Sequence, residues 1–274
     1  MTVSQTTLKE TSETEAKTGL VSIIVPCFGQ LEYTRICVPR LLRFSRSPFE
    51  LIFIDGGVLD GTSEYLAGVT ALPSARVEIV EAPAEAGLPA ACAVGLKHAQ
   101  GEYVVFMSNE TVVGERWLNH LVAAAKVAPE IGMVGTMSNL CPPPQWVGKL
   151  PYRIGLKKSA NGSSGARNFP LDLEAADQFA SDWCEKHRGQ SFEVERLGGS
   201  CLLIKAEVFK KIDLGDTPSP FGSIDGDLLS MKVLQAGYRL VCCRDLFMHQ
   251  FGSRIFAGLR IDPALQVGNP SRIS

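Results

Sequence analysis

The residues of this chain best suited to chemistry are three consecutive polar side chains that end an apolar run. Tyr103–Met107 is rich in β-branched and aromatic residues, which predicts a strand buried on both faces. The run stops at Ser108, Asn109 and Glu110, which a buried strand would not carry inward without partners. Ligands bind at the carboxyl ends of strands in an open α/β sheet, where a carboxylate can hold a hard divalent cation against a diphosphate. A solvated polar turn is the alternative interpretation of these residues.

Acidic groups also lie where a second strand is predicted to end and where a late helix is predicted to begin. Asp55 directly follows the apolar run Phe49–Ile54 and precedes a glycine pair. It is therefore expected either to bind a ligand at the sheet edge or to cap the glycine turn, and the two roles are compatible. Asp225–Asp227 opens a segment that we predict to be helical to about Ala236, where an aspartate in the first turn is also explained as a cap.

The composition excludes several classes of protein. The chain has 274 residues, 45% of them hydrophobic, and a formal net charge of -2, which suits one large α/β domain or two small ones and gives no support for nucleic-acid binding. No apolar run reaches the roughly 18 residues that a membrane span needs, and the polar start is not a secretory signal. The eight cysteines include no CxxC pair and are expected to be reduced thiols of a cytoplasmic protein.

Repeated alternation of strand and helix patterns predicts a doubly wound, mainly parallel α/β sheet with helices on both faces. The predicted strands are Val21–Val25, Phe49–Ile54, Arg76–Val80, Tyr103–Met107, Ile131–Met137, Cys201–Ile204 and Tyr238–Cys242. The predicted helices are Tyr33–Phe44, a short one from Thr62 to Leu66, Leu88–Ala99, Glu115–Lys126, Leu173–Lys186, Ala206–Lys211 and Asp225–Ala236. A flexible lead-in over 1–19 is expected to precede one domain over 20–274.

Three local features sharpen this prediction. Pro26 is expected to stop the first strand, because proline cannot donate to a strand ladder. Asp60 and the residues after it predict a turn and an N-cap for the short second helix. The contact face of the helix Leu88–Ala99 consists of Ala, Cys and Gly side chains, so this helix is expected to lie close to the sheet.

Several short motifs follow one another in a fixed order along the chain. They are Pro26–Gly29, Asp55–Thr62, Gly87, Ala99–Tyr103, Ser108–Glu110, Val194–Ile204, Asp225–Leu228, Ala236–Leu240 and His249–Phe256. In this order, from about Val21 to Phe256, the chain resembles the family 2 inverting glycosyltransferases. The resemblance implies the Rossmann-like GT-A fold, with a nucleotide-binding half at 20–140 and an acceptor-binding half at 141–260.

The resemblance also implies transfer of a sugar from a nucleotide diphosphate sugar, with a UDP-sugar favoured, to a glycan, lipid-linked or protein acceptor. Asp225 matches the catalytic base, and Asp55 matches the residue that accepts from the imide N–H of uracil. Glu110 is the implied ligand of Mg²⁺ or Mn²⁺, with His249 either a second ligand or a direct contact of the diphosphate. The implied nucleotide-sugar contacts are Pro26, Cys27, Asp55, Gly87, Ser108, Asn109 and Gly199. A homodimer is compatible with the sequence.

Two other classes remain open. A non-catalytic relative that binds a nucleotide or a partner is motivated by Ser108, Gly226 and Gln250, where the family pattern has other residues. A nucleotidyltransferase is expected to carry a glycine-rich basic loop after the first strand, whereas Cys27–Glu32 contains neither Lys nor Arg. Lys157–Arg167, rich in Lys, Gly, Ser and Asn, is interpreted either as a lid that orders on donor binding or as a surface loop.

Overall fold

A computed structural model of the protein describes residues 16–69, 75–82, 87–152, 172–198, 201–212 and 226–252. The strands in these ranges are β1 Lys17–Cys27, β2 Phe49–Asp55, β3 Arg76–Glu81, β4 Gly101–Met107, β5 Thr111–Val112, β6 Ile131–Ser138, β7 Ser191–Val194, β8 Cys201–Lys205 and β9 Arg239–Gln250. The helices are α1 Leu31–Phe44, α2 Thr62–Ala67, α3 Gly87–His98, α4 Trp117–Lys126, α5 Leu173–His187, α6 Ala206–Phe209 and α7 Gly226–Gln235. Residues 1–15 of the predicted lead-in and the predicted lid Lys157–Arg167 lie outside the described residues.

The strands form one sheet in the order β3-β2-β1-β4-β8-β6-β9-β5, with β7 paired to β9. β1 is parallel to β2 and β4, and β2 is parallel to β3. β8 runs antiparallel between β4 and β6, and β9 is parallel to β6, so β6 and β9 point the same way as β4. The prediction of a mainly parallel sheet is therefore confirmed, and the carboxyl ends of β1, β2, β4, β6 and β9 face one edge.

Helices cover both faces of this sheet, as predicted. One core packs the buried sides of α1, α2 and α4 against residues such as Val21, Ile23 and Val25 of β1. The other packs α3, α5, α6 and α7 against alternate residues, including Ile24. This alternation of β1 side chains between the two cores is the period-2 pattern of a strand buried on both faces.

Helix α3 lies close to the sheet, because its contact face lacks large side chains. A Cβ atom added to Gly95 would lie 2.5 Å from Cγ2 of Ile24 and 3.1 Å from Cδ1 of Ile54. Only a glycine lets the helix backbone approach these two strands so closely. The expectation drawn from the small residues of this helix is confirmed.

The first strand extends further at both ends than the sequence predicts. β1 starts at Lys17, inside the predicted lead-in, because the backbone N–H of Lys17 donates to the carbonyl of Gln100 beside β4. It also passes through Pro26 and ends at Cys27. Odd-numbered residues of β1 hydrogen-bond towards β2, so Pro26 faces the β4 side, where pairing has already ended at Ile24. The missing N–H of Pro26 therefore costs no ladder bond, and the prediction that it stops the strand is wrong.

The last strand is also longer than predicted. β9 does not end at Cys242 but continues to Gln250, since Phe247 and Met248 pair with the end of β6 after a register shift. Its final residues then pair with β5, a short strand that the sequence analysis did not predict. No helix within the described ranges is long and apolar enough to cross a membrane. All eight cysteines are free, and seven of them are buried.

Candidate active site

Most of the predicted site residues lie where the strands end. Pro26 and Cys27 end β1, and Cys27 is the register partner of Asp55 at the end of β2. Ser108 directly follows β4, the neighbour of β1 on its other side, and His249 lies near the end of β9. Burial raises the pKa of the Cys27 thiol, so Cys27 is a neutral packing residue and not a thiolate nucleophile.

Asp55 is held by the turn that follows it. Its Oδ1 accepts hydrogen bonds from the backbone N–H of Gly57 and from the hydroxyl of Ser63, both at 2.9 Å. The capping interpretation of Asp55 is therefore correct. Its Oδ2 receives no hydrogen bond from another described residue, which leaves one carboxylate oxygen to accept from a ligand, so the two roles remain compatible.

Packing explains why the residue after Asp55 is a glycine, Gly56. A Cβ atom added to Gly56 would lie 2.3 Å from Cδ1 of Phe28, whose ring is buried under the turn. Because any larger residue would displace this ring, the pair Phe28 and Gly56 fixes the distance between the loops after β1 and β2. The sequence alone did not relate these two residues.

Asp60 joins the same two loops. Its Oδ2 accepts from the backbone N–H of Leu31 at the start of α1, and its Oδ1 accepts from the backbone N–H of Thr62 at the start of α2. The N-cap position of α2 is Gly61, at a φ of 87°, which lies within the stretch predicted to supply the turn and the N-cap. Asp60 still satisfies a backbone donor at the start of each helix.

The polar residues after β4 are buried in the protein. Ser108, Asn109 and Glu110 are 8%, 1% and 0% exposed, so the solvated-turn interpretation is wrong. Asn109 Nδ2 donates to the carbonyl of Gly29 at 3.0 Å and to the hydroxyl of Thr34 at 2.8 Å. The amide of Asn109 therefore fastens the end of β4 to the loop after β1, and only its Oδ1 remains for a ligand.

Short-range hydrogen bonds shape the turn itself. Ser108 Oγ accepts from the backbone N–H of Glu110 at 3.2 Å, and the carbonyl of Ser108 accepts from the N–H of Thr111 at 3.1 Å. Together these two hydrogen bonds close the turn, and the chain continues directly into β5. The Ser108 hydroxyl is thereby used as an acceptor but keeps its own hydrogen for a ligand.

Pairing of β5 with β9 brings the chain around Glu110 and the chain around His249 together at the sheet edge. Val112 is the register partner of His249, and Thr111 that of Gln250. The backbone N–H of Phe251 then donates to the carbonyl of Glu110 at 3.2 Å. Two residues that are far apart in the sequence thus belong to one antiparallel ladder.

His249 is a buried, neutral histidine in this ladder. Burial lowers its pKa to about 4, so the imidazole is uncharged at physiological pH. Its Nδ1 is hydrogen-bonded to the hydroxyl of Tyr152 at 3.1 Å. Its ring also contacts the rings of Tyr152 and Phe251, with centroids 5.6 and 5.2 Å away.

The chemistry of these donors fits one hard divalent cation that is held mainly by a diphosphate. Such a cation is commonly bound through one or two protein carboxylates, with substrate phosphates and water completing the shell. Glu110 supplies the carboxylate, and His249 lies opposite Val112, two residues further along the chain. No group of three or more potential metal ligands occurs among the described residues.

Three further residues, Gly87, Gly199 and Asp225, are predicted from the sequence to belong to the site. Gly87 is the first residue of α3. Gly199 and Asp225 lie outside the described residues, although Gly198 and Gly226 beside them are included. Their roles remain predictions.

Gln145 is a positioning residue that the sequence analysis missed. Its Nε2 donates to the carbonyls of Thr136 and Gly198, and its Oε1 accepts from the N–H of Gly198 at 2.8 Å. A side chain that is 1% exposed thus fixes the backbone immediately before Gly199. The proline run before Gln145 indicated only a break in regular structure, because it says nothing about the partner of the next residue.

Comparisons with known sequences agree with this arrangement. A family model described as Glycosyl transferase family 2 matches residues 22–169. The chain is 32% identical over 107 residues to the uncharacterized glycosyltransferase EpsJ of Bacillus subtilis (strain 168), which covers 39% of this chain and 30% of that protein. It is 26% identical over 245 residues to the O-antigen biosynthesis protein RfbC of Myxococcus xanthus, covering 86% of this chain and 18% of that protein. The chain thus spans less than a third of either relative.

Solved structures show the same fold at low sequence identity. The mannosyltransferase PcManGT from Pyrobaculum calidifontis, in complex with GDP-Man and Mn²⁺, has a TM-score of 0.56 at 15% identity, covering 88% of this chain and 59% of that chain. S. aureus TarS 1-349 in complex with UDP-GlcNAc has a TM-score of 0.56 at 16% identity, covering 86% and 60%. These likenesses confirm the predicted GT-A fold.

Proposed function

Because this chain belongs to glycosyl transferase family 2, we propose that it transfers a sugar from a nucleotide diphosphate sugar to an acceptor hydroxyl, with inversion at the anomeric carbon. A UDP-sugar is the favoured donor, and the acceptor is a glycan, a lipid-linked sugar or a protein. The complexes of the structural neighbours with GDP-Man and UDP-GlcNAc support a nucleotide-sugar donor.

The observation that carries the proposal is that Asp55 and Glu110 lie at the same edge of the sheet. Asp55 ends β2, and Glu110 follows β4, with β1 between these two strands. Oδ2 of Asp55, to which no described residue donates, would accept the imide N–H of a uracil base. Glu110, two loops away, would then lie on the side of the diphosphate, as in the general rule that ligands cross the carboxyl ends of an open sheet.

Each remaining step is assigned to a residue of this chain. Glu110 would hold Mg²⁺ or Mn²⁺, which neutralises charge on the departing diphosphate. His249 would act on the same side, either as a second metal ligand or as a donor to a diphosphate oxygen. Asp225, immediately before α7, would take the proton of the acceptor hydroxyl as that oxygen attacks the anomeric carbon from the face opposite the diphosphate.

A binding protein without turnover is the second candidate. It is motivated by Ser108, Gly226 and Gln250, which stand where the family pattern has other residues. The two candidates share nucleotide binding and differ in turnover.

The test is a binding measurement followed by a turnover measurement on the same protein. Thermal shift with UDP and GDP, each with and without Mn²⁺, is expected to show stabilisation by UDP that increases with Mn²⁺. Release of UDP from a panel of UDP-sugars, with simple glycosides as acceptors, then reports transfer. Binding without release across the panel would favour the second candidate, and no nucleotide binding would contradict both.

A further inference from the structure

The hydrogen bond between Tyr152 and His249 lies in a buried cluster of aromatic side chains. The hydroxyl and Nδ1 are 3.1 Å apart, and the two residues are 8% and 7% exposed. The Tyr152 ring packs edge-on against Phe179 of α5, with centroids 5.7 Å apart. Phe179 also makes an edge contact with Phe247 of β9 at 4.9 Å. The tyrosine and the histidine are thus fixed relative to each other by side chains from α5 and β9.

The position of the proton on the His249 ring decides whether Nε2 donates a hydrogen bond or binds a metal. Both side chains are buried, and burial disfavours a charge on either ring, so the neutral imidazole and the neutral phenol are the forms that meet here. A neutral imidazole carries one N–H, on either Nδ1 or Nε2. If the tyrosine donates to Nδ1, the proton lies on Nε2, which then acts as a hydrogen-bond donor. If Nδ1–H donates to the tyrosine, Nε2 has a free lone pair, as a metal ligand requires.

The surroundings of Tyr152 favour the first arrangement. Within the described part of the chain, its hydroxyl is hydrogen-bonded to Nδ1 of His249. In the second arrangement the phenolic hydrogen would need another acceptor, and a buried O–H without one is costly. The first arrangement satisfies the phenolic hydrogen and Nδ1 with one bond.

We propose that Tyr152 is a positioning residue that fixes His249 as the Nε2–H tautomer, so that His249 donates to the departing diphosphate and is not a metal ligand. This inference rests on the proposed function for the identity of the diphosphate. It resolves the two roles left open for His249 and leaves Glu110 as the metal-binding carboxylate. A fixed neutral donor stabilises the diphosphate as negative charge develops on it, without reorganisation at that moment.

The tautomer can be measured on the full chain without metal or nucleotide. Long-range ¹H–¹⁵N correlation spectra of ¹⁵N-histidine-labelled protein distinguish a protonated from an unprotonated ring nitrogen, and the signals of His249 are assigned by their loss in His249→Phe. The parent is expected to show Nε2–H, and Tyr152→Phe a mixture of both tautomers. A parent spectrum with the proton on Nδ1 would overturn the inference.

The role towards the diphosphate is tested by UDP affinity in EDTA and in Mn²⁺. His249→Phe keeps an aromatic ring against Tyr152 and is expected to weaken UDP binding about tenfold in both conditions, the loss expected for one hydrogen bond to a charged group. Tyr152→Phe is expected to give a smaller loss of the same kind. If His249 is a metal ligand, His249→Phe will instead reduce the gain that Mn²⁺ provides, which contradicts the proposal.

Tyr238→Phe is the matched control. Tyr238 precedes the amino end of β9 and is also 8% exposed, but its hydroxyl donates to Glu207. Its loss is expected to leave both UDP affinities unchanged. If the parent binds neither UDP nor GDP, the proposed function and the diphosphate contact fail together, whereas the tautomer is still decided by the spectra of the ligand-free protein.

Discussion

Asp55 accepts a hydrogen bond from the hydroxyl of Ser63 at 2.9 Å, so a single carboxylate oxygen joins the end of β2 to the first turn of α2. The same oxygen also accepts from the N–H of Gly57. Oδ1 of Asp55 thus has a structural role, whereas Oδ2, to which no described residue donates, can bind a ligand. Variants at the two ends of this bond can separate these roles.

Asp55→Asn is expected to lower UDP affinity about tenfold or more while the protein stays folded. The asparagine can keep its oxygen on Gly57 and Ser63, but its amide then presents N–H groups where the Oδ2 acceptor was. An imide N–H of uracil would meet another donor, which loses a hydrogen bond to a charged group. Isothermal titration with UDP measures the loss.

Ser63→Ala is the control for this variant, since it removes only the structural half of the interaction. It is expected to lower the free energy of unfolding by about 1 kcal/mol and to leave UDP affinity within a few-fold of the parent. Equal UDP binding by the parent and by Asp55→Asn would show that Asp55 is purely a turn residue.

Glu110→Gln is expected to remove most of the effect of Mn²⁺ on UDP binding. The glutamine is nearly the same size, so the packing around this fully buried position is retained, but the charge that attracts a hard cation is lost. The gain in UDP affinity on adding Mn²⁺ should fall by at least about tenfold, whereas affinity in EDTA should change little. The exposed Glu115→Gln serves as control, and an unchanged Mn²⁺ gain in Glu110→Gln would place the cation elsewhere.

The sequence predicted the elements well because their signals are local. The small contact face of the helix around Gly95 and the apolar run before Ser108 both report burial directly, and both predictions are confirmed. Pro26 was misread because its effect depends on which side of β1 still has a partner, and that is set by the length of β4 pairing.

The partners of the polar residues were harder to predict. Asn109 was expected to contact a ligand, yet its amide holds the loop that contains Gly29, 80 residues away. Gln145 and Tyr152 were not identified, because neither residue type nor spacing indicates a partner across the sheet. In each case the periodicity predicts that a position is buried, but only the assembled fold determines which group lies opposite.

A buried polar network at the amino edge of the sheet, opposite the candidate site, should govern stability and not binding. Glu50 is 1% exposed and accepts from the Ser22 hydroxyl at 2.6 Å, the Gln100 backbone N–H at 2.7 Å and Arg76 Nη1 at 2.7 Å. Glu50→Gln places an amide against these donors and is expected to lower the free energy of unfolding by roughly 2–4 kcal/mol.

Urea denaturation measures this loss, and UDP affinity of the folded variant should match the parent. Glu78→Gln is the matched control, because Glu78 pairs with the same Arg76 but is partly exposed. Its cost is expected to stay below about 1 kcal/mol. Equal costs at the two positions would mean that burial of Glu50 does not matter.

The final prediction concerns the two aspartates around the start of α7. Asp227 lies in the first turn of α7, and its side chain is exposed and pairs with Arg196 at 3.2 Å. Asp227→Asn should therefore change stability by less than about 1 kcal/mol and turnover little. Asp225→Asn removes the proposed base and is expected to reduce turnover by roughly 10²–10⁴-fold with donor affinity nearly unchanged, since a base acts in the transition state. Paired measurements of sugar transfer and UDP affinity on both variants test this, and similar small losses of turnover in the two would exclude Asp225 as the base.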